Sequence, residues 1–202
     1  RFNESSGATV ADSVGSLPLT LSGTYTRDSD EAPTGRKSTY FGGTDSNAVS
    51  VGSGSIPTGN AARTILIVTK TVSYARGCVF SHGEGMARKG FGITGNDSES
   101  IVVNYWTWSE DLPWAQASMF SDGAWHLLAA TYDGNRAFGA YKDGEQISRV
   151  LTQNLSTTAG NFYVGSAFGT SNRYVGNVAD IIVFDRALSK AELDRLYLAL
   201  NS

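Results

Sequence analysis

Apolar residues along this chain come in short bursts separated by glycine, serine, threonine and asparagine, a texture that predicts strands and turns rather than helices. Arg63-Thr-Ile-Leu-Ile-Val-Thr-Lys70 is β-branched and too short for a stable helix, and Ile101-Val-Val-Asn-Tyr-Trp-Thr-Trp108 is β-branched and aromatic, so both read as strands. Turn pairs follow at close intervals at Asp122-Gly123, Asp133-Gly134-Asn135 and Asp143-Gly144. They divide Trp125 to Tyr132, Arg136 to Lys142 and Glu145 to Leu151 into a predicted meander. One segment departs from this texture. Ser189-Lys-Ala-Glu192 is a capping box, and behind it Leu193, Leu196, Tyr197 and Leu200 fall at helical spacing. The pattern as a whole predicts an all-β fold, two antiparallel sheets packed as a jelly-roll sandwich, with a short C-terminal helix. Gly52 to Asn60 reads as a polar surface loop, and no internal repeat divides the chain, so residues 1–202 are expected to form one domain.

Composition narrows the partners. With 41% hydrophobic residues among 202, the chain has the apolar content for a single large core. Sixteen Lys plus Arg against nineteen Asp plus Glu give a net charge of −3, with no basic surplus to neutralise a phosphate backbone, which argues against nucleic acid as a partner. Apolar runs such as Ile65 to Val68 and Ile181 to Phe184 fall far short of the roughly 20 residues that cross a bilayer, so membrane insertion is not expected. Cys78 is the single cysteine and makes neither an intrachain disulfide nor a cysteine-based zinc site. The start at Arg1, without Met or an apolar leader, suggests part of a larger polypeptide.

Candidate chemistry concentrates in two places. Tyr105-Trp-Thr-Trp108 running into Ser109-Glu-Asp-Leu-Pro-Trp114 holds three of the four tryptophans. Sugar rings present apolar faces that stack on aromatic rings, and Trp106 and Trp108 share one face of an extended strand, so Tyr105, Trp106, Trp108 and Trp114 are candidate ligand contacts. The alternative is that these rings fill the core; Trp114, with polar, loop-like neighbours, is expected to be exposed. Arg76, Arg88 and Lys89 form a positive cluster in an acidic chain, suited to carboxylate or sulfate groups on a sugar or else scattered surface charge. His82 lies in Ser81-His-Gly-Glu-Gly85 and reads as a solvated loop residue or a ligand contact, whereas His126 reads as packed and hydrogen-bonded.

Four blocks resemble the laminin-G-like members of the concanavalin A-like lectin and glucanase superfamily. They are Phe2-Asn-Glu-Ser-Ser-Gly7 with Val10-Ala-Asp-Ser13; Lys37-Ser-Thr-Tyr-Phe-Gly-Gly43 with Ala48-Val-Ser-Val51; Asp122-Gly-Ala-Trp-His-Leu-Leu-Ala-Ala-Thr-Tyr-Asp-Gly134 with Tyr141-Lys-Asp-Gly144; and Gly176 through Leu193 with Leu196-Tyr197. The resemblance implies a two-sheet jelly roll used for carbohydrate recognition, for adhesion and as an accessory module of larger secreted enzymes. A fold does not by itself fix an activity. The Glu-x-Asp-x-x-Glu strand of the superfamily's glucanases and the Arg-rich and Gln-x-His strands of its alginate lyases are absent here, and no confident strand carries a carboxylate pair suited to glycoside hydrolysis. The resemblance also makes a structural calcium an expectation, with Asp12, Asp45, Asn47 and Asp180 as candidate ligands, although Ala179 stands where the family often has an acidic residue. No cofactor is required. The expected function is a noncatalytic, extracellular module that binds a polysaccharide or glycan, an anionic one where the positive cluster neighbours the tryptophans, beside other domains of its own polypeptide. The alternatives are a protein-binding, adhesion or spacer module, and, behind it, a polysaccharide hydrolase or lyase.

Overall fold

The computed structural model describes every residue except 1, 3, 16, 34, 72–76, 96–100, 105–109, 115–121, 201 and 202, and describes residues 28, 29 and 101–104 by their backbone alone. Among the described residues the chain forms two antiparallel sheets. The eight-stranded sheet runs in the order β1 (Thr9–Val10), β2 (Leu19–Ser22), β5 (Asn47–Val49), β14 (Phe162–Val164), β7 (Cys78–Gly83), β8 (Gly90–Gly95), β9 (Ile101–Asn104) and β10 (Leu112–Trp114). The seven-stranded sheet runs β13 (Glu145–Val150), β12 (Ala137–Lys142), β11 (Trp125–Tyr132), β6 (Arg63–Thr71), β15 (Val175–Phe184), β4 (Lys37–Gly42) and β3 (Tyr25–Glu31). The predicted meander is β11, β12 and β13, joined by the turns that Asp133-Gly134 and Asp143-Gly144 signalled.

The unbroken apolar run of β6 has a simple cause: this strand is covered on both faces. Ile65 and Ile67 point into the core between the sheets with Phe80, Phe91 and Phe138, while Leu66 and Val68 point outward into a second apolar layer. β11 alternates in the same way, with Leu128, Ala130 and Tyr132 inward and Leu127 and Ala129 outward. The helix α1 (Lys190–Leu200) covers that outer face, burying Leu193 completely and packing Leu196, Tyr197 and Leu200 beside it. Burial of one such leucine contributes about 1.5–3 kcal/mol. The capping box forms: the Ser189 amide donates to Glu192 Oε2 at 2.9 Å, and the Glu192 amide donates to Ser189 Oγ at 3.4 Å. No helix among the described residues is long and apolar enough to cross a membrane.

One irregularity in β15 decides where a charge goes. Val178 is registered with Thr69 and Asp180 with Val68, so Ala179 is an inserted residue, a β-bulge. Strict period-two alternation through Ala179 would aim Asp180 between the sheets. With the bulge, Ala179 and Ile182 both lie on the outer face, and Asp180 meets Arg36 Nη1 at 2.6 Å.

Candidate functional site

Arg63, the first residue of β6, has no exposed surface and no carboxylate partner among the described residues. Its guanidinium donates through Nη1 to the Pro57 carbonyl and through Nη2 to the Gly59 carbonyl at 2.9 Å, and lies 5.1 Å from the Phe91 ring centroid and 5.6 Å from that of Tyr132. Burial lowers its pKa to about 10, so it stays a cation at neutral pH, stabilised by carbonyl dipoles and ring faces. Tyr132, opposite Arg63 on β11, donates to Asn60 Oδ1 and accepts from the Leu155 amide at 3.1 Å. Loop 52–60 and loop 152–160 thus rest on one pair of buried side chains.

Further bonds knit these loops to the β7–β8 hairpin. Gly59 and Thr157 exchange backbone hydrogen bonds of 2.7 and 3.1 Å, the Ser156 amide donates to the Arg88 carbonyl at 2.8 Å, and the Thr158 amide donates to the Lys89 carbonyl at 3.2 Å. Arg88 holds a positive φ of 62° at the hairpin tip, with Nη1 3.5 Å from the Asn154 carbonyl; Lys89 Nζ is 3.6 Å from Glu84. Both side chains are half-buried at this end of the sandwich. Asn104, the last residue of β9, is registered against Gly92, two positions from the hairpin base at Gly90. β9 therefore ends at the hairpin end of the sheet, where Arg88 and Lys89 stand. Tyr105, Trp106, Trp108 and Arg76 themselves lie outside the described residues.

Two expected contacts are corrected. Trp114 is buried, 7% exposed, and packs with Leu112 into the inner core. Alternation along β10 overrides its polar surroundings, because Leu112 and Trp114 share the inward face and Pro113 takes the outward one. His82 is not in a solvated loop; it sits on β7 with no exposed surface, registered against Phe162. Ser53 Oγ donates to the Gly160 carbonyl at 2.9 Å and accepts from the Gly160 amide at 2.7 Å, so at the 3.2 Å contact between His82 Nε2 and Ser53 Oγ the imidazole is the donor. Burial, then the nearby Arg63 charge, lowers the His82 pKa to about 4. Neither side chain offers the exposed surface that a ligand contact needs. Arg63 was missed because nothing in an arginine at a strand start signals burial.

The four candidate calcium ligands are found on separate features. Asp12 accepts from the amides of Val14, Gly15 and Leu17 at 3.0, 2.9 and 3.1 Å, and these bonds, Gly15 foremost, hold its carboxyl below the usual range. Asp45 accepts from the Thr24 amide at 2.8 Å, Asn47 Oδ1 from Ser22 Oγ at 2.8 Å, and Asp180 faces Arg36. No group of three or more His, Cys, Asp or Glu side chains converges among the described residues. His126 is packed as expected, with Nδ1 2.5 Å from Asp143 and Nε2 2.9 Å from Asp122, locking β11 to the turn between β12 and β13.

Comparison with known proteins agrees with this architecture. Solved structures of the same shape include the binding domain of botulinum neurotoxin serotype G, at a TM-score of 0.71 and 13% identity over 93% of this chain and 47% of that one. Domain 4 of AbnA, a GH43 extracellular arabinanase from Geobacillus stearothermophilus, in complex with arabinotriose, gives 0.70 and 17% over 92% and 91%. Trypanosoma rangeli sialidase gives 0.69 and 15% over 98% and 32%. The chain thus spans about half the length of the neurotoxin domain, about a third of the sialidase and nearly all of the arabinanase domain. At these identities the likeness establishes the fold. A search of curated protein sequences finds no significant match. The sequence profile of the Laminin_G_3 family matches residues 41–194, and the chain belongs to that family of the concanavalin A-like lectin/glucanase superfamily.

Proposed function

We propose that this lectin-like domain is a noncatalytic carbohydrate-binding module whose binding surface is the rim built from loop 52–60, the β7–β8 hairpin and loop 152–160, with Trp106 and Trp108 as its stacking contacts. The observation that carries the reading is the end of β9 at Asn104, registered against Gly92 beside the hairpin that holds Arg88 and Lys89, with Tyr105-Trp-Thr-Trp108 following next in the sequence. Stacking on Trp106 and Trp108 with charge-assisted hydrogen bonds from Arg88, Lys89 and Arg76 suits a polysaccharide carrying carboxylate or sulfate groups. The arabinanase domain solved with arabinotriose supports the reading, since the two domains correspond over nearly their whole lengths. An extracellular setting, beside other domains of a larger protein, fits the same comparison. The test is a glycan and polysaccharide array spanning neutral, uronic-acid and sulfated polymers, probed with and without calcium and again with chelator. Retention of an anionic polymer is expected, weakened by Arg88→Ala with Lys89→Ala; a blank array in every condition would overturn the proposal in favour of a protein-binding module.

A further inference from the structure

His82 is buried beneath the rim, yet the residue it hydrogen-bonds to, Ser53 of loop 52–60, is only half-buried. Ser53 Oγ accepts from His82 Nε2 at 3.2 Å and holds Gly160 of loop 152–160 through two further bonds of 2.9 and 2.7 Å. One hydroxyl thus joins the imidazole to both rim loops. Further along the same loops, Gly59 and Thr157 exchange their own backbone bonds.

The surroundings of this ring suit its neutral form. Nε2 donates to Ser53, while Nδ1 is buried without a hydrogen-bond partner among the described residues. From β6, Arg63 presents a buried cation, and beside it Tyr132 of β11 is a phenol that donates to Asn60. The hairpin after β7 carries Glu84, Arg88 and Lys89, of which Glu84 is spent on Lys89 at 3.6 Å. β14 adds only the phenol of Tyr163, one position along from Phe162, which is registered with His82; loops 52–60 and 152–160 and β8 carry no charged side chain. A second proton on His82 therefore meets a like charge, no unspent carboxylate among the described residues and no acceptor for the new N–H. Lifting loop 52–60 at Ser53 removes that cost by letting water reach the ring.

We propose that His82 makes the rim acid-labile: on taking up a second proton it drives loops 52–60 and 152–160 apart, so the rim holds its ligand at neutral pH and releases it in mild acid. The identity of the released ligand rests on the glycan reading, whereas the opening does not. Burial, then Arg63, pulls the imidazole down to about 4 with the loops in place, against about 6.5 for a ring in water. Between those values each pH unit of acidification favours the open rim by about tenfold.

Hydrogen exchange on the ligand-free domain at pH 7.5 and 4.5, corrected for the intrinsic pH dependence of exchange, reads the opening directly. The amides of Gly59, Thr157 and Gly160, each bonded across the two loops, should lose protection by about 50- to 100-fold. That exchange should be insensitive to dilute urea, the mark of a local opening, whereas amides of β11, paired on both sides, should exchange through the global unfolding that urea promotes. His82→Gln keeps an amide donor for Ser53 but does not titrate, so its rim protection should stay level between the two pH values. Unchanged rim protection in the parent, rim exchange that rises with urea in step with β11, or the same acid loss in folded His82→Gln would each overturn the proposal; if the variant does not fold, the two parent measurements decide. A polymer that the array retains at pH 7.5 should dissociate from the parent faster at pH 5, and equal retention by a rim that opens would overturn the release. Opening with no polymer retained at either pH would support the acid-labile rim and remove the glycan reading instead.

Discussion

Arg63 and Tyr132, registered opposite one another on β6 and β11, together hold up loop 52–60: the guanidinium carbon lies 5.6 Å from the tyrosine ring centroid, and the two side chains donate to Pro57, Gly59 and Asn60. Replacing Arg63 with methionine keeps much of the volume but leaves the Pro57 and Gly59 carbonyls without their donor. A buried acceptor stripped of its partner costs about 1–3 kcal/mol, so Arg63→Met is expected to destabilise the domain by about 2–5 kcal/mol in urea unfolding. It should also weaken glycan binding, because the rim loops lose their support; a variant as stable as the parent would show that the loops stand without it.

His82 gives the domain an acid sensitivity with a definite window. Its folded pKa near 4 lies below the ordinary 6.5, so between those values the unfolded chain takes up a proton that the folded chain does not. This residue therefore leaves stability untouched above pH 6.5, erodes it by up to about 1.4 kcal/mol per pH unit below that, and stops contributing further loss below about pH 4. The total amounts to about 3 kcal/mol. Unfolding free energies of the parent and of His82→Asn, measured from pH 7.5 to 4, should diverge in slope over that window. Parallel curves would place the acid response elsewhere.

Trp114→Ala should act on stability. With the ring in the inner core, its removal is expected to cost about 3–5 kcal/mol of unfolding free energy, by the lost burial and the cavity left behind. Chemical denaturation decides it, and a loss of less than about 1 kcal/mol would mean that the ring is not packed as described.

The bulge at Ala179 can be tested by deletion. Removing Ala179 joins Val178 directly to Asp180, whose partners Thr69 and Val68 on β6 are already adjacent, so the deletion regularises the ladder and leaves Asp180 on the outer face with Arg36. The deletion variant is expected to keep a cooperative thermal transition, destabilised by about 1–3 kcal/mol because the Phe2 amide loses its Ala179 carbonyl acceptor. Loss of the cooperative transition on deletion would contradict the assignment.

How much of this was legible follows from what each signal depends on. The meander, the capped helix and β6 declare themselves because alternation, turn pairs and the capping box are local properties. Even there, the sequence of β6 did not say that its two faces belong to different layers, since that depends on the arrival of α1 more than 100 residues later. Trp114 and His82 were misjudged for a related reason: polar or glycine neighbours suggested loops, but alternation and the neighbouring strands decide their burial. The Asp180–Arg36 pair joins residues 144 positions apart, so the four candidate metal ligands could be named from sequence but not tested for convergence. The rim was half visible, in the cations Arg88 and Lys89; the buried arginine beneath it was not.

Glycan binding is proposed to run through Trp106 and Trp108 and not through the core tryptophan Trp114. The most direct measurement is calorimetric titration of the parent and of Trp106→Ala and Trp108→Ala with the polymer retained on the array, alongside thermal unfolding of each protein. The account predicts that each substitution weakens binding by about 1–3 kcal/mol, roughly five- to 150-fold, with the melting temperature unchanged. Full affinity in both variants, or a loss of stability that matches the loss of affinity, would contradict it.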